Sequence, residues 1–128
     1  MSDPGGYSPK VRQLFAEARR GGDLPPGPGK RCRGEARALE RGAWVRLEAR
    51  LQAGVVTDAR FRAWGCPHLI AACALVTDRM VGQRAEEACR LDPLALSREL
   101  AVPAEKLGRL LVLEDAVRGL AAGMAESQ

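Results

Sequence analysis

Few side chains in this chain can do chemistry: four cysteines (Cys32, Cys66, Cys73 and Cys89) and one histidine, His68. Thiolates are nucleophiles and soft metal ligands, and a neutral imidazole is a metal donor or a proton acceptor. Two of the five stand almost together in Trp64-Gly65-Cys66-Pro67-His68. There an alternating run ends at a glycine and an apolar, helix-like run begins. A thiol at that join stands at a helix N-terminus, where the macrodipole and free backbone N–H groups favour the anionic form. Cys66 is therefore the first candidate for a reactive or metal-binding group, and His68, in the same first turn, is a candidate second donor.

The other thiols read differently. Cys73 follows Cys66 by seven residues, which on a continuous helix means the same face but a rise of about 10 Å. That is too far for one metal ion or a disulfide. Cys73, and Cys89 within Ala-Glu-Glu-Ala-Cys-Arg-Leu, read as small core hydrophobes. A mononuclear zinc site built on Cys66 and His68 would need further N or S donors from elsewhere. No serine or acid stands around His68 at a recognisable catalytic spacing, and no phosphate-binding glycine loop is present. The chain is expected not to be an enzyme.

The composition narrows the classes further. At 128 residues, 46% apolar and 28% charged, the chain reads as one globular domain. Twenty Lys and Arg against 16 Asp and Glu give a net charge of +4, but the charges are interspersed and aromatics are 4%. This argues against a nucleic-acid stripe. No window reaches the roughly 18 apolar residues of a membrane span, and the N-terminus has no apolar segment of the secretory kind. A cytoplasmic location and free thiols are expected.

The elements that must position Cys66 can be read from period and punctuation. Ser8-Pro9 looks like an N-cap and first helical residue, followed by Val11, Leu14, Phe15 and Ala18 at helical spacing until Gly21-Gly22. Gly21 to Gly34, dense in Pro and Gly, is expected to be a mobile connection. A first strand from Gly34 to Leu39 and the turn Glu40-Arg41-Gly42 lead into Val45, Leu47, Ala49 and Leu51, which alternate with Trp44, Arg46, Glu48 and Arg50. Val55 to Ala63 repeats the alternation, with Val55, Thr57, Ala59, Phe61 and Ala63 on one face; the two runs form a hairpin through Gln52-Ala53-Gly54. Helical patterns follow. The first, from Pro67 to Gly82, carries Leu69, Ile70, Cys73, Val76, Thr77 and Met80. A short helix is expected at Ala85 to Leu91, one opened by Asp92-Pro93 with Leu94, Leu96 and Leu100 inward, and a long one from Pro103 to about Met124. Strands followed by helices argue an α+β domain: a three-stranded antiparallel sheet packed against several helices.

Three segments together, Tyr7 to Phe15, Val56 to Cys66 with the helix after it, and Val102 to Val117, resemble the NifU/IscU-type iron–sulfur cluster scaffold, N-terminal domain. The resemblance implies a three-stranded sheet flanked by helices, a cluster site at one tip, and a role in cluster assembly as a scaffold, carrier or accessory factor. It also implies a cysteine desulfurase as partner and a [2Fe–2S] cluster or iron as the bound species. Scaffolds of this kind hold the cluster with three cysteines helped by an Asp and a His. Cys66 falls on the second cysteine. The family's Cys-Gly-Asp falls on Arg41-Gly42-Ala43, and its His-Cys on Gly108-Arg109, so the other donors are absent. Cys32-Arg33-Gly34-Glu35 offers an alternative, with Cys32 replacing the first cysteine. A small residue is usual at position 68, so His68 is not inherited as a ligand. Val102-Pro103-Ala104-Glu105-Lys106 keeps only the Pro and Lys of the motif that docks a specialised chaperone, and Glu105 speaks against that docking.

Three expectations follow. The first is a scaffold-like protein that binds iron or accepts sulfur at Cys66, with Cys32 and His68 as further metal candidates. The second is a ligand-depleted paralogue that keeps the fold as a protein-interaction module, and the third is a mononuclear zinc protein. Arg41 and Arg109, if they converge on Cys66, favour an anionic sulfur species over a metal cation.

Overall fold

The period-two run of Val45 to Leu51 becomes the central strand of the sheet because both of its neighbours can hydrogen-bond to it while its apolar face is covered. In the computed structural model, which describes residues 7–126, strand β2 (Ala43–Gln52) pairs antiparallel with β1 (Lys30–Ala38) on one side and β3 (Val55–Trp64) on the other. Ala38 stands opposite Ala43, Leu47 opposite Gly34 and Phe61, and Trp44 opposite Trp64. Residues 1–6 and 127–128 lie outside the described residues.

Two boundaries differ from the pattern in the sequence. β1 starts at Lys30 rather than Gly34, so Cys32 is a strand residue paired with Ala49. Strand pairing with β2 supplied the order that local composition did not show. In the pairing of β2 with β3 the register slips between Arg50 and Leu51, which stand opposite Asp58 and Val56, so that Val56 and not Thr57 turns inward. Val56 is buried and Thr57 exposed, as a bulge that reverses side-chain parity dictates. The hairpin closes through Ala53 (φ 53°) and Gly54 (φ 79°), a two-residue turn that matches the twist of its strands but places a Cβ in the left-handed region.

The helices cover the apolar face. Helix α1 (Pro9–Glu17) is capped by Ser8, whose Oγ accepts from Val11 N at 3.2 Å and donates to Leu100 O at 3.1 Å. Helix α2 (Pro67–Met80) leaves the end of β3 and lies against that strand, with Leu69, Ala71, Ala72 and Cys73 fully buried. A single turn, α3 (Ala85–Ala88), and α4 (Pro93–Leu100) follow, the latter capped by Asp92 accepting from Leu94 N and Ala95 N. Leu96 and Leu100 face inward as the spacing predicts, but Leu94 is 56% exposed. At the second helical position it points away from the packed stripe. After a 3₁₀ turn (Ala104–Lys106), the long helix α5 (Leu107–Ala125) crosses β1 and β2. Its approach to β1 is set by glycine: a Cβ on Gly34 would lie 2.1 Å from Ala116 O and 2.3 Å from Leu120 N. Backbone meets backbone there, and α5 is fixed in depth and direction.

The opposite face of the sheet is polar and partly roofed. Residues 21–29 run across it without regular structure, yet they are tied down. Leu24 is 3% exposed, its N–H donates to Glu48 Oε1 (3.1 Å), and Arg50 donates to Pro25 O. Asp23 pairs with Arg62 (2.6 Å) and Arg46 (3.2 Å), and Glu48 with Arg31 (2.8 Å). The expected mobile connection is thus a fitted strap. The free edge of β3 is blocked as well: Phe61 N donates to Arg20 O, Gly22 N to Phe61 O, and Val56 N to Gln83 O. Covering an edge this way removes a template for pairing with other chains. No helix among the described residues is long and apolar enough to cross a membrane.

Candidate functional site

Three connections meet at one end of the sheet. Gly42, in the left-handed conformation (φ 62°), turns the chain between β1 and β2. Its carbonyl oxygen lies 3.4 Å from where a Cβ on Gly65 would stand, so the β1–β2 turn sits beside the β3–α2 join. The start of α5 arrives at the same place: the Nη1 of Arg41 lies 2.1 Å, and its Cζ 2.8 Å, from the position a Cβ on Gly108 would take. The segments containing Arg41, Cys66 and Gly108-Arg109 therefore do converge at one tip.

Cys66 is the N-cap residue of α2, in extended conformation (φ −76°, ψ 164°), with its carbonyl accepting from Leu69 N at 3.0 Å and Ile70 N at 3.2 Å. Its side chain makes no capping hydrogen bond and is half-buried. The backbone does the capping, so the sulfur is left for other work. Of the four thiols it alone is placed at the tip, because the Gly-Cys-Pro join fixes it where strand becomes helix.

His68 is in the same turn but faces inward. It is 1% exposed, its ring centroid lies 4.7 Å from that of Tyr7, and neither ring nitrogen has a hydrogen-bond partner. Burial, reinforced by the charges of Lys106 and Arg109, pushes its pKa below the usual imidazole value. A neutral imidazole packed against Tyr7 is not turned to a ligand shared with Cys66. Cys32 is not brought to the tip either. It lies six residues from the end of β1 and is 3% exposed, which puts it about 20 Å along the strand from the tip. Its proposed replacement of a missing donor has no geometric support. Cys73 is fully buried on α2, where burial drives its thiol far above the ordinary range.

The segments that converge at this tip also bring cations to it. Arg41 fills the space over Gly108, and Lys106 and Arg109 stand close enough to His68 to act on its ionisation. Among the described residues no carboxylate is paired with these three cations. Also among the described residues, no group of three or more His, Cys, Asp or Glu side chains could hold a metal ion. A [2Fe–2S] cluster asks for four soft donors, whereas this tip offers one thiol with a guanidinium in the neighbouring space. The residues present do not fit a cluster, or a zinc ion, held by this chain alone. Sequence reasoning passed over Lys106 as part of this site; its position just before the last helix was the available signal.

Comparison with known proteins gives a consistent family. The NifU-like N terminal domain profile matches residues 6–123. The iron–sulfur cluster assembly scaffold protein IscU of Azotobacter vinelandii is 31% identical over 113 residues, covering 88% of this chain and 88% of that protein. The iron sulfur cluster assembly protein 1, mitochondrial, of Schizosaccharomyces pombe is also 31% identical, with 59% of its length covered. Among solved structures, FiSufU of Fervidobacterium islandicum AW-1, described as an iron–sulfur cluster assembly scaffold for the SUF system, superposes with a TM-score of 0.70. It is 15% identical and covers 92% of this chain and 96% of its own. The N-terminal NifU-like protein of Brucella abortus superposes with a TM-score of 0.57 at 19% identity, covering 91% and 81%. These two structural likenesses confirm the α+β fold with its three-stranded antiparallel sheet. By profile and by sequence identity over most of its length, the chain belongs to the NifU-like N-terminal domain family.

Proposed function

We propose that this chain is a single-domain, non-enzymatic component of iron–sulfur cluster assembly, a scaffold-like accessory that accepts sulfur at Cys66 from a cysteine desulfurase in the cytoplasm. The names of its relatives support the pathway. The observation that carries the role of the site is the half-buried Cys66 sulfur on the N-cap of α2, in a tip where Arg41, Lys106 and Arg109 stand without paired carboxylates. Positive charge and a helix N-terminus stabilise anionic sulfur. They repel iron cations, so iron and assembled cluster are cargo that needs ligands from a partner.

The chemistry proposed is sulfane transfer. The Cys66 thiolate attacks the terminal sulfur of the donor's persulfide, a new S–S bond forms at Cys66, and the donor's S–S bond breaks. The donor leaves as a thiolate, and the proton stays with the transferred sulfur. No net oxidation or reduction occurs. Incubation with a cysteine desulfurase and cysteine, followed by mass spectrometry, should show one added sulfur atom on the wild type and none on Cys66→Ser. Anaerobic reconstitution with iron and sulfide should give no stable cluster absorption from the isolated chain. An unmodified wild-type chain with no desulfurase association would sink the proposal.

A second function, an interaction module that no longer handles sulfur, is favoured by the apolar groups left in water beside the tip: Leu39 is 69% and Trp64 60% exposed. It predicts that Cys66→Ser keeps full partner association and biological activity, whereas sulfur acceptance predicts association without activity.

A further inference from the structure

At the end of the molecule away from the tip, three sulfur-bearing side chains from three separate elements come together. Cys89 closes α3 as its C-cap residue, and its Sγ lies 3.5 Å from the Sδ of Met124 in the last turn of α5. Cys32 enters from β1, its Cβ only 3.7 Å from where a Cβ on Gly123 would stand. The glycine before Met124 thus lets the Cys32 side chain come close to the helix. Cys89 and Met124 also line a surface pocket with Ala85, Glu86, Ala121 and Ala125, so the group is reachable from solvent although Cys32 itself is 3% exposed.

We infer that Cys32, Cys89 and Met124 form a site for one soft monovalent metal ion of the Cu(I) class. The donor set selects the ion. Two thiolates and a thioether are soft ligands, and methionine sulfur is a donor that Cu(I) accepts readily. A structural zinc site is four-coordinate and built from Cys, His or carboxylates, and among the described residues no third such donor completes a group with Cys32 and Cys89. Two sulfurs bound to one ion at about 2.3 Å, the usual metal–thiolate distance, stand three to four ångströms apart, as Cys89 and Met124 already do. This site is independent of the tip, and its failure would leave the role of Cys66 untouched.

The test uses the full chain carrying Cys66→Ser, so that the half-buried tip thiol is silent, titrated anaerobically with Cu(I) against a chromophoric Cu(I) chelator. One equivalent of Cu(I) should be withheld from the chelator. Cys89→Ser and Cys32→Ala should each weaken binding by on the order of 100-fold, and the volume-conserving Met124→Leu by roughly tenfold; changes in outer partners alone cost 10–100-fold in metal affinity. X-ray absorption should count three sulfur neighbours, one fewer after Met124→Leu. Circular dichroism verifies folding, and if Cys32→Ala unfolds, Met124→Leu and Cys89→Ser decide. The inference is overturned if no Cu(I) is withheld, if Cys89→Ser binds like its parent, if Met124→Leu leaves three sulfur neighbours, or if Zn(II) is held as tightly as Cu(I).

Discussion

The two ends of the sheet divide the chain's chemistry between them. The tip holds one thiol, Cys66, and the segments bearing Arg41, Lys106 and Arg109; at the far end, Cys32, Cys89 and Met124 gather, Cys32 buried and Cys89 half-buried. The tip thus carries one thiol and several cations, while the thiols at the other end lie where burial raises their pKa. The contrast shows that counting cysteines does not locate a metal site. Placement and the charge around each sulfur decide what it can bind.

The largest expected effect separates the ends by function. Cys66→Ser should abolish sulfur uptake from a desulfurase while changing stability by less than about 0.5 kcal/mol, as for a surface substitution; Cys89→Ser should leave uptake intact. Loss of uptake in both variants, read by mass spectrometry, would erase the distinction.

Gly34 lies between the ends and couples them through α5. A Cβ there meets Ala116 O and Leu120 N at 2.1 and 2.3 Å, so Gly34→Ala should cost about 3 kcal/mol or more as the helix is forced off the strand. Denaturant unfolding measures the loss. Because α5 carries Gly108 and Arg109 to the tip and Met124 to the far end, both sulfur uptake and Cu(I) retention should weaken together.

His68 belongs to the tip by sequence but to the core by burial. Its two ring nitrogens lack partners, and replacing an unsatisfied buried polar group by an apolar one of similar size removes a desolvation cost. His68→Leu should therefore raise stability by about 1 kcal/mol and keep sulfur uptake. A loss of uptake in a stably folded His68→Leu would make the imidazole part of the site.

The helical layer offers a control that touches neither end. Glu99 receives Lys10 (2.6 Å) and Arg79, and the hydrogen bond from Arg79, then that from Lys10, holds its pKa down at about 2. A depressed carboxylate contributes stability above its unfolded pKa, near 4.5, and loses that contribution as pH falls towards its folded value. With the pair partly solvated, Glu99→Gln should cost about 1 kcal/mol at pH 7. The gap between variant and wild type should close between pH 4.5 and about 2, as followed by thermal melts. The smallest effect is at the far-end hairpin, where Ala53 has φ 53°. Ala53→Gly should stabilise by about 0.5 kcal/mol by relieving the left-handed strain, without altering sulfur uptake.

Much of the scaffold was legible before any coordinates. Ser8-Pro9 and Asp92-Pro93 cap helices where they stand, and the alternation from Val45 to Leu51 is the central strand. The join Gly65-Cys66-Pro67 begins α2, with the candidate thiol on its N-cap. Other features were not legible. The bulge that turns Val56 in and Thr57 out arises from pairing with Arg50 and Leu51. The strap at residues 21–29 is ordered by Glu48, Arg46, Arg50 and Arg62, none of them its neighbours in sequence. The sequence sets His68 beside Cys66 in the first turn as a second donor, but that it faces inward against Tyr7 is decided by packing.

The sequence by itself determined the element order, the family and the choice of Cys66, because capping, periodicity and the strand-to-helix join act over a few adjacent residues. Only the tertiary structure decided that Arg41 covers Gly108, that Cys32 lies far from the tip, and that Cys89 meets Met124. Those relations depend on how deeply α5 settles onto β1 at Gly34, a packing distance that no local pattern of residues encodes.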